Sequence, residues 1–88
     1  MAKLIIQIPC FNEEESLPMT LKELPREMPG IDKVEWLIID DGSTDHTVEV
    51  AKEHGVDHVV RLMRHQGLAR AFMAGLQACI ENEADIIV

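Results

Sequence analysis

The chain has 88 residues, enough for one small domain or part of one, and at this size only about 60–65 % of the surface exposed on unfolding is buried, so the core is thin. With 8 Lys and Arg against 16 Asp and Glu the formal charge is −8, which argues against nucleic acid or an anionic membrane surface as the main partner while leaving room for a phosphorylated small molecule at one local site. Two cysteines without metal or redox spacing indicate neither a disulfide framework nor a zinc site and fit a reducing, cytoplasmic setting, and no apolar run reaches the roughly 18–20 residues that span a bilayer.

The run LIIQI at 4–8, closed by Pro9, predicts a first strand, because proline cannot donate to a sheet ladder. Asn12 or Ser16 then offers an N-cap, with Glu13, Glu14 and Glu15 suited to the positive end of a helix dipole; Pro18 in the first turn favours the start at Ser16. Leu17, Leu21 and Leu24 fall at i, i+4 and i+7, and Pro25 stops that stripe. Past a loop marked by Pro25, Pro29 and Gly30, the unalternating run Trp36, Leu37, Ile38, Ile39 reads as a strand buried on both faces. It runs into Asp40, Asp41 and Gly42, a tight turn, with Ser43 or Thr44 as N-cap of a second helix over about 44–54. That helix offers Val48 and Ala51 to the sheet and has Gly55 at its C-terminal cap.

HVVRL at 58–62 is short and mixed, as an edge strand would be. From 67 to about 81, Leu68, Phe72, Leu76, Cys79 and Ile80 follow the helical period as the expected apolar face, with Arg70, Gln77 and Glu81 outward. Ala71, Ala74, Gly75 and Ala78 let this helix lie close to a sheet, and Gly75, which costs about 1 kcal/mol of helix stability against alanine, marks the close approach. Residues 84–88 begin a fourth strand.

Strands and helices alternating at these lengths predict an α/β fold with parallel strands and right-handed crossovers. The turns at 9–13, 40–44 and 63–67 then emerge on one rim, the edge where open parallel sheets bind ligands. GxGxxG, GxxxxGK[ST] and GxSxG are absent, which disfavours a nicotinamide oxidoreductase, a P-loop enzyme and an α/β-hydrolase. The rim instead carries Phe11, Asn12, Glu13, Asp40 and Asp41. A strand-end carboxylate accepts the ring N–H of uracil, or the ring N–H and exocyclic amine of guanine, and Phe11 gives a flat apolar surface nearby. Arg61, Arg64, His65 and Arg70 cluster at the third loop and the following helix start, where guanidinium and backbone N–H groups suit a diphosphate.

The blocks PCFNE at 9–13, IIDDGSTD at 38–45 and GLARA at 67–71, in this order and at this spacing, resemble the amino-terminal part of the inverting family 2 glycosyltransferases, which include polyprenyl-phosphate sugar transferases. The DDGST block is the most specific of the three, and the resemblance covers essentially the whole chain. It implies a three-layer Rossmann-like parallel sheet of strand order 3-2-1-4, an incomplete glycosyltransferase A fold. It implies that Pro9, Phe11 (usually Tyr in the family) and Glu13 line a nucleotide site, that Ile39 meets the base through its backbone and that Asp41 hydrogen-bonds it. Arg70 would face diphosphate or base, and Asp40 would be structural. The implied donor is a UDP- or GDP-sugar, the acceptor a polyprenyl phosphate, and the reaction an inverting displacement at the anomeric carbon. His65 departs from the Asn often found near its position.

In that family the fourth strand runs into a D-x-D motif whose acids hold Mg²⁺ or Mn²⁺ against the sugar diphosphate, and the catalytic base lies further on. The sequence reaches Val88 without that motif, and Asp85 stands at the wrong end of the strand to replace it. Without metal to offset the leaving diphosphate, transfer loses a large catalytic term. Residues 1–88 are therefore expected to be a nucleotide-binding part cut before the motif, with no catalytic residue and no bound metal of their own. They are expected in the cytoplasm, or at the cytoplasmic membrane face in a complete protein. The alternatives are a non-catalytic binding module and a fragment that self-associates through the unpaired edge of its fourth strand.

Overall fold

A computed structural model describes residues 2–88. Strands β1 (Lys3–Cys10), β2 (Lys33–Asp40), β3 (His58–Arg61) and β4 (Ile86–Ile87) alternate with helices α1 (Leu17–Lys22), α2 (Thr47–Glu53) and α3 (Leu68–Glu81). The strands are parallel in the order β3-β2-β1-β4, as expected. β1 and β2 pair from Lys3 opposite Lys33 to Cys10 opposite Asp40. The two central strands thus finish level, and the loops that follow them lie side by side on one rim.

Strand alternation sorts the core into two layers. Leu4, Cys10, Val34, Trp36 and Ile38 pack on one side with Leu17, Leu21 and Ala51 of α1 and α2. Ile5, Leu37 and Ile39 meet Ala71, Ala78 and Cys79 of α3 on the other. Each layer holds one free, buried cysteine. Burial, with the charges of Glu13 and Asp40, pushes the Cys10 thiol up to about 12, and burial alone raises Cys79.

The orientation of α3 corrects the expected apolar face. Leu68, Phe72 and Ile80 are 70, 49 and 65 % exposed, whereas Ala71, Gly75, Ala78 and Cys79 are buried. Distance decides this. A Cβ on Gly75 would stand 2.0 Å from Gln7 Oε1 and 2.6 Å from Ile39 Cδ1, so the helix backbone rests almost directly on β1 and β2. Bulky side chains cannot enter that interface without overpacking it, and the small residues take it.

The first helix starts where expected, and the second starts later. Ser16 is the N-cap of α1, yet its hydroxyl makes no capping bond and donates instead to Glu13 Oε2 at 3.4 Å. α2 begins at Thr47 after His46, so neither Ser43 nor Thr44 caps it.

At the amino end of the strands, on the α3 side, buried Glu35 lies 3.7 Å from Lys3 Nζ, 3.1 Å from Lys33 Nζ and 2.8 Å from His58 Nε2. Burial pushes its carboxyl up, but the hydrogen bonds from His58 and Lys33 and the nearby charges outweigh that and hold it below the usual range. A carboxylate whose folded pKa is depressed contributes stability above its unfolded value of about 4.3 and loses it as pH falls through the folded value. In urea unfolding, wild type is expected to exceed Glu35→Gln in stability at pH 7, with the gap closing by pH 3. A gap independent of pH would assign the effect to packing and not to charge.

Candidate functional site

Reciprocal hydrogen bonds stitch the first rim loop to the second. Asn12 sits in the left-handed region at φ 51°, which its short polar side chain tolerates. Its N–H donates to Ser43 Oγ at 2.9 Å, and its Oδ1 accepts the Thr44 N–H at 2.8 Å. Glu13 N–H donates to Thr47 Oγ1 at 2.9 Å and Glu14 N–H to Asp45 Oδ2 at 3.2 Å. The Thr47 N–H and hydroxyl both donate to Asp45 Oδ1. Desolvation pushes the Asp45 carboxyl up, and these hydrogen bonds overcome it and hold the group low. The short polar residues expected to cap helices are therefore the fasteners of the rim.

The adjacent acids go to opposite faces. Asp41 N–H donates to the Cys10 carbonyl at 2.8 Å, which carries the strand alternation one residue past β2. Asp40 is fully buried on the α1 and α2 side. There its Oδ1 accepts the Ser43 N–H at 3.2 Å, and Oδ2, with no hydrogen bond, lies 3.5 Å from Arg61 Nε.

Asp41 turns to the α3 side, its side chain 5 % exposed. Oδ1 accepts the Gln66 N–H at 2.8 Å; Oδ2 accepts the Gly67 N–H at 3.0 Å and lies 2.9 Å from His65 Nδ1. The hydrogen bond of that nitrogen goes to the Asp41 backbone carbonyl at 3.3 Å, and because a carbonyl only accepts, Nδ1 carries the hydrogen. The acid thus gathers N–H groups at the start of α3, where the helix dipole favours negative charge. Gly42, at φ 77°, lets the second loop lie against the third: a Cβ there would stand 2.4 Å from both Arg64 C and His65 N.

A cleft of about 180 Å³ opens among the three loops, lined by Pro9, Phe11, Glu13, Asp41, His65 and Leu68 with Cys10 and Ala71. The Phe11 and His65 rings face each other with centroids 4.1 Å apart. Four of the expected site residues, Pro9, Phe11, Glu13 and Asp41, are brought together here. Ile39 lies outside the lining, its side chain buried in the α3-side core beside the Pro9 pairing. Arg70 is exposed on α3 and also outside the lining. His65 stood out in the sequence only as one of several basic residues of the third loop, and its pairing with an acid 24 positions earlier carries no local signal. Leu68, expected in the core, is a wall of the cleft instead.

Among the described residues no group of three His, Cys, Asp or Glu side chains is disposed to hold a metal ion. Asp85 lies before β4, where its Oδ2 accepts the Lys3 N–H at 2.8 Å, at the end of the sheet away from the cleft. The residues present do not fit the divalent cation that the resemblance implies.

The family model for glycosyl transferase family 2 matches residues 5–86. The chain belongs to that family. This family 2 chain is 35 % identical, over 92 % of its length, to an undecaprenyl-phosphate mannosyltransferase of Micrococcus luteus, of which it covers 34 %. It is 33 % identical, over 94 % of its length, to an undecaprenyl-phosphate 4-deoxy-4-formamido-L-arabinose transferase of Pectobacterium carotovorum, of which it covers 26 %. The crystal structure of TarS residues 1–349 from S. aureus matches all of it with a TM-score of 0.66 at 21 % identity, and the same protein in complex with UDP matches with 0.62 at 23 %. Each TarS match covers 26 % of that chain, and these likenesses bear out the glycosyltransferase A fold. The family 2 chain spans about a third or less of the curated relatives it matches.

Proposed function

We propose that residues 1–88 are the nucleotide-binding part of a glycosyltransferase domain, serving transfer of a sugar from a UDP- or GDP-sugar to a polyprenyl phosphate. The observation that carries this reading is the cleft in which the Asp41 carboxylate, buried and prealigned by backbone N–H groups, meets the Phe11 ring. A base on that ring, its N–H turned to Asp41, would be held by stacking and by one charge-assisted hydrogen bond. Pro9 and Glu13 would complete the wall, Ile39 would contribute backbone, and Arg70 would approach the diphosphate from outside the cleft. The undecaprenyl-phosphate transferases among its relatives support the acceptor, and the UDP complex of TarS supports the donor. Mg²⁺ or Mn²⁺ would belong to the complete protein. A polyprenyl acceptor places the work at the cytoplasmic face of a membrane; no described helix is long and apolar enough to cross one.

Calorimetric titration is expected to give saturable heat with UDP or GDP in the micromolar to millimolar range common for enzyme substrates. No heat with either would sink the reading and leave the unpaired edge of β4, where Ile86 is exposed and pairing runs only to β1, as the surface to explain. Sugar transfer by the 88 residues alone would overturn the restriction to binding.

A further inference from the structure

The net charge of −8 is unevenly spread along the chain. No Asp or Glu stands between Asp57 and Glu81, so all 16 acids lie outside a stretch that carries Arg61, Arg64 and Arg70. That stretch folds into β3, the third loop and α3. It also holds five of the ten large apolar side chains exposed among the described residues: Met63 at 100 %, Leu68 at 70 %, Phe72 at 49 %, Met73 at 64 % and Ile80 at 65 %. Scattered singly, such residues are ordinary; gathered on one face they mark a contact surface.

The set of α3 against the sheet defines that face. Ala71, Gly75, Ala78 and Cys79 are buried beneath the helix. At about 100° per residue Met73 and Ile80 then fall on the opposite side, Leu68 and Phe72 on one flank, and Arg70 beside Met73. Arg64 and Arg70 are exposed and make no ion pair among the described residues, whereas Arg61 Nε lies 3.5 Å from Asp40. A helix that turns apolar side chains outward, with arginines and no acids beside them, suits the plane of a bilayer: apolar groups enter the headgroup layer and guanidinium groups meet lipid phosphates. We infer that the outer face of α3, with Met63 and Arg64 of the third loop, docks on a membrane surface bearing anionic phospholipid. The acids at the far end of the helix do not oppose it. Glu81 is about 16 Å along α3 from Arg70, and exposed charges are largely screened beyond about 8 Å at physiological ionic strength. Leu68 borders this face and also lines the cleft, so docking brings the cleft to the lipid surface, where a lipid-borne acceptor is met without leaving the bilayer. That consequence rests on the nucleotide reading above; the docking itself does not.

Vesicle flotation of the 88-residue chain tests the face. With vesicles of phosphatidylglycerol and phosphatidylcholine in equal parts, binding is expected to be at least tenfold stronger than with phosphatidylcholine alone, and to fall as salt is raised. The paired change Met63→Ser with Met73→Ser, and separately Arg64→Gln, should each lower binding about tenfold. None of these three residues lines the cleft. Met19→Ser is the control: Met19 is 70 % exposed on α1, across the sheet, and its loss should change nothing. Each variant is also titrated with UDP, and vesicle binding lost at unchanged UDP affinity would support a surface separate from the nucleotide site. No binding by wild type, equal binding to neutral vesicles, or an equal loss in Met19→Ser would overturn the docking and leave the nucleotide reading untouched. A concentration-dependent dimer in sedimentation that the paired change abolishes would also overturn it, giving the face to a second copy. Vesicle binding by a wild type that takes neither UDP nor GDP would support the docking and sink the nucleotide reading.

Discussion

Replacing Gly42 by alanine is expected to destabilise the fold by about 3 kcal/mol or more, from left-handed strain and overpacking together. Its φ of 77° costs any side-chain-bearing residue about 1 kcal/mol or more. The new Cβ would also lie 2.4 Å from the Arg64 carbonyl carbon and the His65 nitrogen. Both are backbone atoms, so no rotamer change relieves the contact, and the third loop must move. Against a total of about 4–13 kcal/mol for a chain of this length, the loss is a large fraction. Gly30→Ala is the control: Gly30 has a similar φ of 80° with nothing within 4 Å of a built Cβ, and it should show the conformational cost alone. Urea midpoints of the two variants measure the difference. Equal midpoints would mean that the contact between the loops yields at no cost.

Asp41→Asn is expected to reduce nucleotide affinity about a hundredfold and stability by about 2–3 kcal/mol, since buried donors left unsatisfied cost about 1–3 kcal/mol each. Two backbone N–H groups converge on this side chain, one on each oxygen, and an amide has one acceptor oxygen to offer them. Whichever way the amide turns, an N–H meets an N–H, either in the loop or at the base. Asp40→Asn is the matched comparison, because Asp40 is buried on the other face of the sheet. It should leave the affinity nearly unchanged. Calorimetry and urea unfolding on the pair decide the matter: wild-type affinity in Asp41→Asn would remove that side chain from recognition, and equal losses in both would make the effect a general one of fold.

Much of this was legible in the residues. The apolar runs locate the central strands, although β1 does not end at Pro9 as expected but runs through it to Cys10, and level parallel strands put PCFNE and DDGST on one rim. Period-two alternation says that Asp40 and Asp41 part company, but which one meets α3 depends on packing against helices far along the chain. Asn12, Ser43 and Thr44 have the chemistry of helix caps, and nothing local distinguishes a cap from a partner 31 or 32 residues away. α3 misled periodicity because it carries two apolar faces, one large and one small. Hydrophobicity favours the large one, and the close approach at Gly75 selects the small one.

The two buried cysteines have a consequence for watching this sheet come apart. An alkylating reagent attacks the thiolate, and with its proton held to about pH 12 Cys10 offers almost none at neutral pH while its layer is closed. Cys79, sealed beneath α3, is shielded independently. Labelling of one sulfur therefore signals that α1 and α2 have lifted, and labelling of the other that α3 has, so the chain carries a separate chemical clock on each side of its strands.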